Sequence, residues 1–158
     1  MSDLPAACLR VQAAAETAGL AIRIVVRAEA TRTAEEAAAA CGCGVAQIVK
    51  SLVFVGKQSG KPWLLLVSGA NRVDEKGAAR HLGEPLKRPD AAFVRELTGY
   101  AIGGIPPIGH PIDIATCIDP DLMGFPTVWA AAGTPNAVFE VDPRALAATT
   151  KATLMPMA

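Results

Sequence analysis

Two adjacent apolar segments, residues 47–56 (QIVKSLVFVG) and 63–68 (WLLLVS), constrain the fold of this chain more than any other feature. Both are rich in β-branched, aromatic and leucine side chains, which is typical of strands. The intervening KQSGKP has the residues of a turn, so the segments are predicted to pair as a hairpin. Because apolar residues follow one another without alternation, we expect central strands of a sheet that is covered on both faces.

The segments around this hairpin do not alternate strictly between strand and helix. Five helices are predicted. The first runs from a Ser2 or Asp3 cap to Gly19, and the second begins at the Thr33–Glu36 capping box. The others run from Asp74 to Leu82, from Asp90 to Thr98, and from Pro143 onward. Further strands are predicted at residues 21–28, 112–118, 126–132 and 137–141. This order excludes a doubly wound fold and favours a mixed α/β sheet with helices around it. A length of 158 residues indicates a single domain, spanning 1–158.

Charge is distributed unevenly, although the formal net charge of the chain is zero. Residues 50–95 contain nine Lys and Arg against four Asp and Glu, so this basic segment has a net charge of +5 and the rest −5. The segment is either an ordinary solvated surface or a local face for the end of a polyanion such as RNA. A surface that tracks long DNA is disfavoured, because such domains are usually basic overall.

The sequence favours a cytoplasmic protein. No apolar run approaches the ~20 residues of a membrane span. The N-terminal MSDLPAACLR lacks the basic start and the apolar stretch of a signal peptide.

The four cysteines do not form a metal-binding pattern. Cys41 and Cys43 form a C-x-C pair, whereas Cys8 and Cys117 are isolated, and no second Cys or His pair follows. Structural zinc sites need two such pairs. We therefore predict reduced thiols, no metal and no cofactor.

Lys50 is the one charged residue within the apolar strand at 47–56. Its ammonium group must be paired, lie in a cleft, or reach solvent at the strand end. Burial would lower its pKa, and a nearby anion would oppose that shift. Lys50 is therefore either a solvated terminal lysine or a functional group. Ser51, at the same strand, is a candidate hydrogen-bonding residue.

Residues 98–111 (TGYAIGGIPPIGHP) form the second candidate site. The density of glycine and proline excludes a regular helix or a central strand. Glycine lets a ligand approach the main chain, and proline restricts the neighbouring backbone. The loop is either a tight crossover or a set of exposed N–H groups that hold an anion. It matches neither a P-loop nor a dinucleotide-binding fingerprint.

Four segments in a fixed order resemble a known family. They are Thr33–Ala38 (TAEEAA), Gln47–Phe54 (QIVKSLVF), Thr98–Gly109 (TGYAIGGIPPIG) and the predicted strand Ile112–Ile118. Together they are similar to the YbaK family, the prolyl-tRNA synthetase-associated editing domains, over about residues 20–145. Members usually have Lys-Thr or Lys-Asn at Lys50–Ser51, and often serine at Pro106. These two departures leave the amino-acid specificity open.

The resemblance implies a mixed fold with a central, barrel-like sheet and a free-standing domain that hydrolyses wrongly charged tRNA. Lys50 would be the family's essential lysine, holding the aminoacyl carbonyl or the adenosine-phosphate end. The main-chain N–H groups of Gly103, Gly104 and Gly109 would hold the 3′ end and the developing oxyanion. The predicted substrate-binding residues are Ser51, Gly103, Gly104, Ile105, Pro107, Gly109 and His110. Because an aminoacyl ester is already activated, orientation and charge stabilisation suffice for its hydrolysis.

The predicted substrate is the 3′ end of a misacylated tRNA, typically tRNA(Pro) carrying a small amino acid such as cysteine or alanine. Prolyl-tRNA synthetase is a candidate second partner, and the oligomeric state stays open. Apolar residues predicted to wall the pocket are Val45, Ile48, Ile105 and Ile108. One alternative is a non-catalytic module that binds tRNA or a synthetase through the basic segment. Another is an unrelated hydrolase with a cysteine nucleophile.

Overall fold

A mixed β-sheet organises residues 4–158, the part of the chain that the computed structural model describes. Its strands are β1 (Ile24–Val26), β2 (Ile48–Gly56), β3 (Pro62–Ser68), β4 (Leu86–Lys87), β5 (Ala115–Ile118), β6 (Val128–Ala131), β7 (Ala137–Val141) and β8 (Thr153–Leu154). The helices are α1 (Ala6–Thr17), α2 (Ala34–Cys41), α3 (Glu75–Leu82), α4 (Ala91–Thr98) and α5 (Pro143–Thr150). Short 3₁₀ helices occur at Val45–Gln47 and Pro120–Gly124.

The predicted hairpin lies at the centre of this sheet. The strand order is β1-β7-β6-β2-β3-β5-β8, and β4 also pairs with β2. β2 pairs antiparallel with β3 and parallel with β6, and β3 pairs parallel with β5. The predictions of a mixed α/β class and of a central hairpin are therefore confirmed.

One edge of β2 is only partly paired. β6 pairs with β2 at Ile48 and Val49 alone, and β4 pairs with it at Val55 and Gly56. Residues 50–54 therefore face a gap in the sheet on this edge. The Gly69 N–H donates to the Ile48 carbonyl, so even-numbered residues of β2 direct their main-chain groups at β3. The odd-numbered residues Ser51 and Val53 direct their main-chain groups into the gap.

Apolar side chains cover both faces of the hairpin, as its sequence predicts. Val49 and Val53 belong to a large core with α1 and α5, whereas Phe54 packs in a second cluster with α3. Consecutive side chains of a strand point to opposite faces, so each face of β2 meets a different cluster.

The predicted helix starts are largely confirmed. The Thr33 hydroxyl accepts the Glu36 N–H at 3.1 Å, and α2 ends at Gly42 in the left-handed conformation. Asp74 and Asp90 cap α3 and α4 through their carboxyl groups. The predicted Ser2 or Asp3 cap lies outside the described residues, and α1 follows Pro5.

Strand lengths differ from the sequence predictions. The strands predicted at 21–28 and 112–118 are shorter, at Ile24–Val26 and Ala115–Ile118. β4 and β8 were not predicted, because two residues are too few to show a periodic pattern. Both are strands only because they hydrogen-bond to strands that are distant in the sequence. None of the helices within residues 4–158 is long and apolar enough to cross a membrane.

Candidate functional site

A cavity of about 580 Å³ lies at the gap between β2 and β6. This volume is in the range of sites that hold small ligands. Its wall comes from five parts of the chain, namely residues 30–34 with Ala37, residues 48–52, the loop residues Ile102, Gly103 and Ile105, residues 129–131, and Thr134, Pro135, Ala137 and Val138. The cavity exists because β6 diverges from β2 after two paired residues.

Lys50 lies in this wall and is half-buried. Its Nζ donates a hydrogen bond to the main-chain carbonyl oxygen of Asn71, in the turn after β3. An ammonium group has three N–H donors, so two remain for a ligand. Lys50 is thus a partly buried lysine whose ammonium group is bound to a main-chain carbonyl, and not a fully solvated strand end.

Burial is the main influence on the pKa of Lys50, and it lowers that pKa below the ordinary value. The carboxylates of Glu35 and Asp119 oppose this shift, since they stabilise the ammonium form. The guanidinium groups of Arg72 and Arg88 lower the pKa further. Lys50 therefore combines partial desolvation with a mixed set of neighbouring charges.

Ser51 also lines the cavity, and its side chain leaves the strand on the face opposite to Lys50. Its Oγ is buried and has no hydrogen-bond partner anywhere within residues 4–158. A buried hydroxyl without a partner costs about 1–3 kcal/mol.

The glycine-rich loop reaches the cavity through Gly103 and Ile105. Gly104 instead packs against the β6–β7 connection, where an added Cβ would lie 2.8 Å from Thr134 Cα. The Gly104 N–H donates to the Ala101 carbonyl at 3.1 Å. Gly104 therefore supports the loop by close packing, and its N–H group is already used.

Pro107, Gly109 and His110 are not among the residues that line the cavity. The Gly109 carbonyl accepts a hydrogen bond from the Tyr100 hydroxyl at 2.9 Å. The Nε2–H group of His110 donates to the Pro106 carbonyl at 2.8 Å, and burial lowers the pKa of His110. These contacts stiffen the end of the loop, and a direct substrate role for the three residues stays a prediction.

Four residues were predicted to form the apolar wall. Ile48 and Ile105 line the cavity, whereas Val45 and Ile108 do not. Val45 starts a short 3₁₀ helix before β2, and Ile108 is buried in the large core. The prediction is therefore wrong for Val45 and Ile108, because one lies in the 3₁₀ turn before β2 and the other is taken up by the core.

Thr31, Arg32 and Thr33 form a side of the cavity that the sequence does not predict. Arg32 is exposed at this edge, so its guanidinium group is accessible to an anionic ligand. The segment is held there because the Thr31 N–H donates to the Pro135 carbonyl at 3.1 Å. No local sequence signal reports a contact between positions so far apart in the chain.

The cysteines do not contribute to the cavity wall. Burial raises the pKa of every thiol. A raised pKa disfavours the thiolate, which is the nucleophilic form. Across residues 4–158, no three His, Cys, Asp or Glu side chains gather as a metal site requires. These observations argue against the cysteine hydrolase alternative.

Part of the basic segment collects beside Lys50. The Arg88 guanidinium carbon lies 5.3 Å from the centre of the Phe54 ring, on the same face of β2 as Lys50. Arg88 also lies 3.9 Å from a carboxylate oxygen of Glu75, but both side chains are well exposed. Such an exposed pair contributes little, so Arg88 remains accessible to another anion.

Comparison with known proteins identifies relatives over most of the chain. The family model described as the aminoacyl-tRNA editing domain matches residues 28–149. An uncharacterized protein of Bacillus subtilis, YwhH, is 32% identical over 114 residues, which are 72% of each chain. A protein of Enterococcus faecalis named "putative Cys-tRNA(Pro)/Cys-tRNA(Cys) deacylase EbsC" is 28% identical, covering 72% of this chain and 70% of its own.

The same architecture occurs in a crystal structure described as a "putative trans-editing enzyme for prolyl tRNA synthetase". The two structures superpose with a TM-score of 0.92 over 98% of each chain, at 49% sequence identity. A similarity of this extent covers every element that contributes to the cavity.

Proposed function

Because the chain belongs to the aminoacyl-tRNA editing domain family, we propose that it acts in trans as a hydrolase of misacylated tRNA. The observation that carries this proposal is one cavity whose wall contains a partly desolvated lysine, Lys50, beside the main-chain groups of Ser51, which pair with no neighbouring strand. The ammonium group suits a carbonyl or phosphate oxygen, and the main-chain groups suit polar groups of the bound 3′ end.

The reaction is the hydrolysis of an ester. The oxygen of a water molecule adds to the aminoacyl carbonyl carbon, and negative charge develops on the carbonyl oxygen. The bond to the ribose oxygen then breaks, and that oxygen takes up a proton derived from the water. The products are the free amino acid and a tRNA with a free 3′-terminal hydroxyl.

Lys50 contributes by orientation and electrostatics. One of its N–H donors is held by Asn71, so the other two can be directed at the carbonyl oxygen or the terminal phosphate. Removing a single donor to a developing oxyanion typically costs about 2.7–4 kcal/mol of transition-state stabilisation. The partly desolvated position of Lys50 strengthens its interaction with a developing negative charge.

The apolar lining of the cavity favours an amino acid with an apolar or weakly polar side chain. Alanine contributes much of its wall, as Ala30, Ala34, Ala37, Ala130, Ala131 and Ala137. The remaining apolar lining residues are Ile48, Val49, Leu52, Ile102, Ile105, Trp129, Pro135 and Val138. We propose tRNA(Pro) carrying cysteine or alanine as the substrate; the names of two relatives, which refer to prolyl-tRNA synthetase and to Cys-tRNA(Pro), support the tRNA and the cysteine. We further propose that the reaction takes place in the cytoplasm, with prolyl-tRNA synthetase as a second partner.

The test is a deacylation assay with tRNA(Pro) charged in turn with cysteine, alanine, serine, threonine and proline. We expect one small noncognate amino acid to be released and proline to be retained. Lys50→Ala should abolish release without unfolding the protein, whereas Lys57→Ala, an exposed lysine of the hairpin turn, should not. Full activity of Lys50→Ala would refute the assignment of Lys50. Binding without release of any amino acid would instead support the non-catalytic module.

A further inference from the structure

A buried carboxyl group is connected to Lys50 through the turn that follows β3. Asp119, immediately after β5, is only 1% exposed, and no other Asp, Glu, Lys or Arg within residues 4–158 is buried to that degree. A buried charge is costly unless it is paired or well hydrogen-bonded. The burial of this single charged residue therefore calls for a specific role.

The Asp119 carboxyl group accepts three hydrogen bonds. Oδ2 accepts the Ser68 N–H at 3.1 Å and a side-chain N–H of Asn71 at 2.8 Å. Oδ1 accepts the Asp121 N–H at 3.0 Å, which caps the 3₁₀ helix Pro120–Gly124. Asp119 thus joins the end of β5 to the turn that follows β3.

That turn is the one that holds the Lys50 ammonium group. The Asn71 N–H donates to the Ser68 carbonyl at 2.9 Å, which closes the turn. The Asn71 side chain is held by Asp119 and, at 2.8 Å, by Asp121. The Asn71 carbonyl, which is part of the same rigid turn, accepts the hydrogen bond of Lys50.

We propose that Asp119 is a positioning residue for Lys50, acting through the Ser68–Asn71 turn. Its carboxyl group fixes Asn71, and the Asn71 carbonyl in turn orients the ammonium group toward the cavity. This proposal rests on the proposed hydrolase function and adds to it the residue that orients the Lys50 side chain. Lysine has a flexible four-carbon stem, so a group of this kind needs an external constraint to hold one direction.

Asp119 also acts on Lys50 through its charge. The charged groups that influence Lys50 are Glu35 at the start of α2, Arg72 after the turn, Arg88 after β4, and Asp119. Glu35 and Asp119 favour the ammonium form, and the two arginines oppose it. Removing the charge of Asp119 should therefore lower the pKa of Lys50 further.

The chain contains a matched control for this residue. Asp142 also caps a helix that begins with proline, and its Oδ1 accepts the Arg144 N–H at 2.8 Å. Asp142 is exposed and lies outside the turn that holds Lys50. Asp142→Asn therefore reports the loss of an aspartate cap alone, without any loss of Lys50 positioning.

The experiment compares Asp119→Asn, Asn71→Ala and Asp142→Asn with the parent protein in two measurements. The first is kcat and KM for deacylation as a function of pH, with folding checked by thermal unfolding. The second is the titration of the Lys50 Cε and Hε resonances by NMR in the free protein, which needs no activity.

We expect Asp119→Asn to lower kcat, by up to about 10²-fold if the ammonium group moves by 1 Å. KM should change less, and the alkaline decline of activity and the NMR titration of Lys50 should both move to lower pH. Asn71→Ala loses the side chain that Asp119 holds, so kcat should fall. The variant keeps the charge of Asp119 and the main-chain carbonyl that accepts from Lys50, so the Lys50 titration should shift less than in Asp119→Asn. Asp142→Asn should leave both measurements unchanged.

The proposal is overturned if Asp119→Asn keeps both the kcat and the Lys50 titration of the parent protein, or if Asp142→Asn reproduces its effects. Should Asp119→Asn fail to fold, an unchanged kcat in Asn71→Ala overturns it equally. If the parent protein hydrolyses no aminoacyl-tRNA, the proposed function fails. A shifted titration in Asp119→Asn would then still support the coupling between the two residues.

Discussion

Gly104 and Gly133 bring two loops of the cavity into direct main-chain contact. The Gly133 N–H donates to the Gly104 carbonyl at 3.0 Å, and a Cβ at Gly104 would lie 2.9 Å from the Gly133 carbonyl oxygen. Each loop contributes to the cavity wall, through Gly103 on one side and Thr134 on the other. The separation of these two walls therefore depends on the absence of a side chain at Gly104.

Gly104→Ala should both destabilise the protein and impair its activity. The added methyl group would meet main-chain atoms, which cannot rotate away, so we expect a loss of about 1–3 kcal/mol in the free energy of unfolding. Urea denaturation measures this loss. Gly124→Ala is the matched control, because a Cβ there has no heavy atom within 4 Å. Equal stability of the two variants would contradict the packing role of Gly104.

Ser51→Ala should separate stability from function. Removing a buried hydroxyl without a partner should leave the free energy of unfolding unchanged or raise it by about 1 kcal/mol, whereas kcat/KM for deacylation falls. Ser68→Ala provides the contrast, because the Ser68 hydroxyl donates to the Ala46 carbonyl at 2.8 Å and its loss should destabilise. Unchanged kcat/KM in Ser51→Ala would show that the hydroxyl does not contact the substrate.

The pH dependence of hydrolysis should report the ammonium group of Lys50. Since burial lowers the pKa of Lys50, the charged form is lost as pH rises through a value below the ordinary 10.5. The enzymatic rate, after subtraction of spontaneous hydrolysis, should therefore be constant below that lowered pKa and decline above it. A rate that rises continuously through this range would mean that the neutral amine is the active form.

Arg88→Ala should move this alkaline decline in the opposite direction to Asp119→Asn. The Arg88 guanidinium group lowers the pKa of Lys50, so its removal should raise that pKa and extend activity to higher pH. Pairs of rate profiles for Arg88→Ala and the parent protein, recorded at two salt concentrations, measure the shift. The shift should shrink at high salt, because Arg88 is exposed and its charge is screened.

Arg32→Gln should weaken the binding of tRNA without changing the fold. Arg32 is exposed at the edge of the cavity, where the phosphate of an entering 3′ end would pass. If Arg32 contacts one phosphate, the variant should lower the slope of log K against log salt by about 1. Arg23→Gln, an exposed arginine that does not line the cavity, should keep the slope of the parent protein. Identical slopes in both variants would exclude a phosphate contact at Arg32.

Local sequence signals predicted the parts of this protein that depend on neighbours in the chain. The apolar runs of β2 and β3 identified the central hairpin, and Thr33, Asp74 and Asp90 identified three helix starts. Periodicity and capping act over a few residues, so they are readable from one sequence. Lys50 was singled out for the same reason, as a charge within an apolar strand.

Tertiary structure decided what surrounds Lys50. The cavity depends on β6 leaving β2 after two paired residues, and the orientation of the ammonium group depends on Asn71 and the buried Asp119. The β2–β6 pairing and the Asn71–Asp119 contact join segments that are neighbours in the sheet but far apart in the chain, and hydrophobic patterning carries no information on strand order. The sequence alone thus determined the longer helices and strands and which lysine is exceptional. Only the packed sheet determined where its charge is directed.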